Sequence, residues 1–293
     1  MKIIKAILTF IVSLCLVLTL FVAQFSLFTV NKLFDSDLYI NKFESAGLYP
    51  YIETSLNKDF ATIARTCNFP KSVFDGVIQT NWIKSQVIDS TRKTIDYMNY
   101  TSDSLPQIDT TSIGNNFSAN LDKFINSSNS TVGSASDLAE LKTDVQSTIN
   151  NDINLVSFNK ISKLSFFQKF RHALNLLYKY NSIIMLSILL LILILFFIQY
   201  KDLSYLVAWL GCSFVAGGLL TFIPSIVGIL SKFTQNIAIG VPMLKTLTGS
   251  IINEYISFFA YTGGTLIFTG IILLILYSKF GAKKETHRHR HSH

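Results

Sequence analysis

Four stretches of the chain are apolar without a break, and the segments between them mix apolar and polar positions. Residues 7–30, 183–198, 203–223 and 255–277 contain no Asp, Glu, Lys, Arg or His. A helix needs about 20 apolar residues to cross the hydrocarbon core of a bilayer, so each stretch predicts a membrane-spanning helix. The shortest, 183–198, is extended at its edges by Asn181, Ser182 and Gln199. The third ends before Pro224, where a helix is expected to stop. The first is longer than the roughly 7–15 apolar residues of a secretory signal, and no small-residue cleavage site follows it. It is therefore read as an uncleaved anchor.

Between the first two spans the pattern becomes helical and amphipathic. Ile52, Leu56, Phe60 and Ile63 form one stripe, and Leu138, Leu141, Val145, Ile149 and Ile153 another. Asn68 and Pro70 suggest a helix start before Val73, Phe74, Val77 and Ile78. Thr80 is placed to cap a longer helix carrying Ile83, Val87, Thr91, Ile95 and Met98, and Asp109 to cap one carrying Ile113, Phe117, Leu121 and Phe124. Alternating strand patterns are scarce. Residues 31–159 thus predict a helical domain, and the whole chain an all-α fold. The small, polar stretch 126–136 predicts a flexible loop. Cys67, the domain's one cysteine, is expected to be a buried thiol.

Residues 160–180 differ again. Leu164, Phe167, Phe170, Leu174 and Leu177 recur every three or four positions, among Lys160, Lys163, Lys169, Arg171 and Lys179 with no acid. A basic amphipathic helix entering a span reads as a juxtamembrane helix on the membrane surface. An ordinary bundle helix with a solvated basic face is the alternative. Residues 224–254 are too apolar for a solvated loop, and Gly240 and Pro242 are expected to break them into two short helices.

Composition sharpens this picture. Of 293 residues, 49% are hydrophobic and 15% charged, and the mean hydropathy is +0.40. Soluble domains carry about 25% charged residues, so a fully soluble protein is excluded, as is a wholly disordered chain. The net charge of +7 lies mainly at the two ends. Residues 1–6 carry Lys2 and Lys5, and residues 278–293 carry three Lys and two Arg against Glu285. The segment 31–181 balances 15 bases with 15 acids. The positive-inside rule then places both termini in the cytoplasm, in agreement with four spans, which put both ends on one side. The expected location is the plasma membrane, with the domain on its outer face. The pI of about 9.2 is a topogenic signal rather than a mark of nucleic-acid binding.

The layout of one span, a helical domain and three further spans resembles that of four-span bacterial membrane proteins of uncharacterised function. Phe69–Pro70 through Tyr100 and the turn Leu105-Pro106-Gln107-Ile108-Asp109 carry the resemblance. It implies no activity and no site residues.

Candidate chemistry is sparse. The zinc-hydrolase, P-loop, nucleophile-elbow and dinucleotide motifs are absent. His172 is the single histidine before the tail, and no nucleophile is paired with it in sequence. Asp103, Asp109, Glu140 and Asp144 read as helix caps and solvated faces. No enzyme and no cofactor are predicted. His287, His289, His291 and His293 alternate along the tail and are weak candidates for Zn²⁺ or Ni²⁺, the plainer reading being an unstructured topogenic tail. Ser204, Ala208, Cys212 and Ala216 recur at four-residue spacing in the third span, and Ala260 and Gly264 in the fourth. Small residues let helix backbones approach closely, so these six are expected to mediate helix packing. The partners expected are the lipid bilayer and a protein or a second copy of the chain. The function expected is non-catalytic: binding or sensing an envelope partner, or scaffolding a membrane complex. A transporter accessory subunit or an oligomeric channel is the alternative, since large-pore channels share the four-span layout.

Overall fold

The computed structural model describes residues 2–67, 69–128, 135–153 and 162–290. All regular structure among them is helical, and no strand occurs there. The chain divides into two compact units, Ser36–His172 and the combination of Met1–Asp35 with Ala173–His293.

The second of these units holds four helices long and apolar enough to cross a membrane. They are α1 (Lys2–Phe28), α8 (Asn181–Gln199), α9 (Leu203–Leu230) and α10 (Pro242–Arg290). A single π turn, Thr29–Leu33, prolongs α1. Val12, Leu16 and Leu20 of α1 meet Leu195 of α8 and Leu206 of α9 in a buried core. Phe28 packs against Tyr255, Phe258 and Phe259 of α10 toward one end. Leu186, Leu189, Leu190, Leu193 and Phe197 of α8 point outward, where a soluble protein would place polar groups.

Two expected helix ends move. The third span does not stop before Pro224 but runs through it to Leu230. Proline removes one backbone donor, and a helix in an apolar bundle accommodates that loss through neighbouring groups. At the next residue, the Ser225 hydroxyl donates to the Thr221 carbonyl at 2.8 Å. The fourth helix starts at Pro242 rather than near 255. Proline suits the first helical position, where its missing N–H is not needed, and no second proline follows before the span. The loop 224–254 therefore reduces to a 3₁₀ turn at Phe233–Asn236 and a short extended link. At the other end α10 stays helical to Arg290, so the tail is not unstructured over that length. His287 and His289 fall within this helix, and His291 and His293 lie outside the described residues.

The unit Ser36–His172 contains α2 (Ser36–Ser45), α3 (Leu48–Thr66), α4 (Thr80–Met98), α5 (Thr111–Ser128), α6 (Ala135–Ile153) and the first half of α7 (Ser165–Lys179). Gly47, at φ +73°, makes the sharp turn from α2 to α3 that a side chain would strain. Helix α3 is central and packs against α2, α4 and α6. Ile52, Leu56 and Phe60 of its stripe are buried, as are Phe74, Phe117 and the α6 stripe Leu141, Val145 and Ile149. The rings of Phe60, Phe74 and Phe117 form a chain with centroids 5.2 Å apart. Leu138 and Ile153 belong to α6, but their side chains lie outside those described, as do residues 129–134 of the polar stretch.

Local expectations are met unevenly. Asp109 accepts the Thr111 amide at 2.9 Å just before α5. Hydrogen bonds from the Thr111 hydroxyl and amide hold this carboxyl below its usual range. Its contribution to stability is present above the unfolded carboxyl's pKa and is lost as pH falls through the lowered one. Thr80 opens α4 but does not cap it; its hydroxyl donates to Glu53 of α3 instead. The segment after Pro70 buries Val73, Phe74, Val77 and Ile78 through one 3₁₀ turn, Lys71–Val73, and no longer helix forms. Cys67 is exposed, contrary to expectation. It follows the last turn of α3, past the buried stripe that ends at Ala64.

Candidate functional site

The bundle holds amides and hydroxyls at positions that are apolar in all their surroundings. Gln24 of α1 is buried, and its Nε2 donates to the Gly217 carbonyl of α9 at 3.1 Å. Its Oε1 accepts the Thr221 hydroxyl of α9 at 2.6 Å and the Thr262 hydroxyl of α10 at 3.3 Å. One side chain thus ties three helices. Farther along α1, Gln199 of α8 donates to the Thr9 hydroxyl at 2.9 Å, and that hydroxyl donates to the Lys5 carbonyl. Ser26 reaches the Leu177 carbonyl at 2.7 Å, and Lys32 pairs with Glu254 at 2.7 Å. An unpaired amide in hydrocarbon costs several kcal/mol, so these contacts specify which helix faces which.

Glycines set the closest approach. A Cβ on Gly218 would stand 2.6 Å from the Gly263 carbonyl oxygen, and one on Gly263 would stand 2.9 Å from that of Gly218. One on Gly270 would stand 2.7 Å from the Gly211 oxygen. The seam between α9 and α10 therefore uses Gly211 and Gly218 on one helix and Gly263 and Gly270 on the other. Of the six residues expected to mediate packing, Ser204, Ala208, Ala216, Ala260 and Gly264 are half-buried and Cys212 is exposed. A Cβ on Gly264 would meet the Phe222 ring at an ordinary 3.4 Å. The four glycines sit at seven-residue spacing, the period that keeps one seam in register along a left-handed helix pair.

The helical domain offers different chemistry. Glu53, Asn57, Lys71 and Asp75 line an open cleft of about 450 Å³ floored by Phe60 and Phe74. Asn120 holds one wall, donating to the Val73 and Asp75 carbonyls. A smaller cleft of about 250 Å³ lies between α5 and α6, beside Thr111, Asn115, Lys142 and Gln146. Tyr49 is buried beside Glu44 and Lys84, and burial pushes its phenol up, with the Glu44 charge adding to the effect.

Two residues hold places that the sequence reading did not give them: Gln24 is absent from it and Arg171 stands there on a basic face. Gln24 is the one amide in the first apolar stretch, and its cost there is the signal that it must find partners. Arg171 is the other. It is 4% exposed, with its guanidinium between the Tyr97 and Tyr100 rings at 3.7 and 3.6 Å. Its Nε donates to the Tyr97 carbonyl at 2.7 Å, while Asp103 stands 3.9 Å from its Nη2. It lies four residues after Phe167 and three before Leu174, in register with the inward face of α7 rather than its basic face. His172 is exposed.

Replacing Gln24 tests the tie. Interhelical hydrogen bonds in membranes average about 0.6 kcal/mol and reach about 1.7. Thr221 and Thr262 can fall back on the Gly218 and Phe258 carbonyls. Gln24→Leu should therefore lower stability by only about 1 kcal/mol, measured by thermal unfolding in detergent. A loss several times larger would mean that the network carries more than its pairs.

Among the described residues no group of three or more His, Cys, Asp or Glu is gathered to hold a metal. No known protein family, curated protein or solved structure matches this chain.

Proposed function

We propose that the chain is a non-catalytic, multi-pass plasma-membrane protein, with both termini in the cytoplasm and the helical domain on the outer face. The domain binds or senses an envelope partner, or scaffolds a membrane complex. The observation that carries this reading is the contrast in where polar groups point. In the bundle Gln24, Thr221, Thr262, Thr9 and Gln199 are turned on one another, as suits an anchor. In the domain Glu53, Asn57, Lys71 and Asp75 open onto a cleft. Mixed charges around an aromatic floor suit a polypeptide ligand, which offers both charge signs and apolar side chains.

Photo-crosslinking in native membranes tests it. A photoreactive residue at Asn57 or Lys71 should give one discrete protein adduct, and Leu190 on the outer face of α8 should give only lipid. The reverse pattern, a protein adduct from Leu190 and none from the cleft, would favour an accessory subunit or oligomeric channel assembled through the spans.

A further inference from the structure

We propose that the outward face of the first half of α7 is an insertion surface for anionic lipid, with Phe166 and Phe170 entering the headgroup region. Phe166 is 76% exposed and Phe170 46%, and their rings lie parallel with centroids 6.4 Å apart. Leu164, just before the helix, is 57% exposed. Such a patch is costly in water. The rotation of the helix is not free to hide it, because the opposite face is engaged. Arg171 is held between Tyr97 and Tyr100, and Gln168 donates to the Tyr97 hydroxyl at 3.0 Å and to the Ser162 carbonyl at 2.5 Å. The arginine that the sequence assigns to a basic face thus fixes the helix within its own domain, and the phenylalanines are left outward.

Two further observations name the occupant. Lys163, Lys169 and His172 are exposed around the aromatic pair, and residues 160–180 contain no acid. Anionic headgroups complement that charge. The helix ends at Lys179 and the apolar α8 begins at Asn181, so Phe166 lies 15 residues along the chain from the start of a span. Amphipathic helices with bases flanking aromatic residues bury their apolar face about 5–10 Å into the headgroup boundary. The proposal rests on the helices of the bundle, α8 and α9 among them, crossing the membrane.

Two single-tryptophan forms of the full chain separate the two ideas. The first, Trp82→Phe, keeps only Trp209 of α9. The second, Phe166→Trp with Trp82→Phe and Trp209→Phe, reports on α7. Both are placed in bilayer discs containing lipids brominated near the acyl carbonyl or near the chain end. The expected result is blue-shifted emission from position 166, quenched by shallow bromines in anionic discs. That quenching should be lost in zwitterionic discs and in Lys163→Glu/Lys169→Glu. Unquenched emission at 166 while Trp209 is quenched would overturn the lipid face alone; if blue-shifted, it would point to a protein covering the patch. Quenching equal in anionic and zwitterionic discs would also overturn the proposal. Trp209 unquenched at every depth would overturn the span reading beneath it.

Discussion

Gly218→Leu and Gly263→Leu should each unfold or misassemble the bundle, with losses of about 3 kcal/mol or more. At these positions even a Cβ meets a backbone oxygen, at 2.6 and 2.9 Å, and backbone cannot swing aside as the end of a side chain can. Relief requires α9 and α10 to separate along the seam. That movement also opens the Gln24 contacts to Thr221 and Thr262, which bridge the same two helices. Gly218→Ala should already be damaging. Gly264→Ala is the control, since its Cβ would meet only the Phe222 ring at 3.4 Å. Thermal unfolding in detergent and size-exclusion profiles report the difference. Equal tolerance at 218 and 264 would refute a glycine seam.

Arg171→Ala should destabilise the helical domain by about 3 kcal/mol. A desolvated cation over an aromatic face contributes roughly 2 kcal/mol, and the lost bond to the Tyr97 carbonyl, which keeps the Tyr100 amide, about 1 more. The side chain also braces Tyr100, whose φ of +62° costs a non-glycine residue about 1–3 kcal/mol. The exposed Asp103 at 3.9 Å adds little. Arg171→Lys should recover little, because an ammonium cannot stack flat between two rings while bonding the carbonyl. Proteolysis of the full chain with increasing temperature would show earlier cleavage within residues 36–172. Wild-type resistance in Arg171→Lys would show that charge alone suffices there.

The helical architecture was legible because its signals are long. An apolar run of some twenty residues has few alternatives, and the stripe through Ile52, Leu56 and Phe60 has the period of a helix. The helix ends were less legible. Proline marks a boundary by local sterics, yet Pro224 sits inside α9 and Pro242 begins α10, because packing decides which role it takes. Sequence shows where small residues occur in the third span, but not which side faces α10. The contact falls on Gly211 and Gly218, while Cys212, one position on, is exposed. Arg171 was hidden for a related reason. Charge suggests solvent, and only the register with Phe167 and Leu174 argues for burial. The cleft beside Phe60 and Phe74 depends on the turn after Pro70, which brings Lys71 and Asp75 next to α3. No periodic pattern records that juxtaposition.

An anchored bundle that presents its domain outside the cell leaves Cys67 open to the medium. It is the chain's one cysteine outside the apolar helices, and it is exposed. Cys15 and Cys212 lie in α1 and α9, where a charged reagent does not reach them through lipid. Intact cells treated with a membrane-impermeant maleimide should label the native chain, and Cys67→Ser should abolish the label. Labelling of Cys67 only after the membrane is opened would place the domain in the cytoplasm and overturn this orientation.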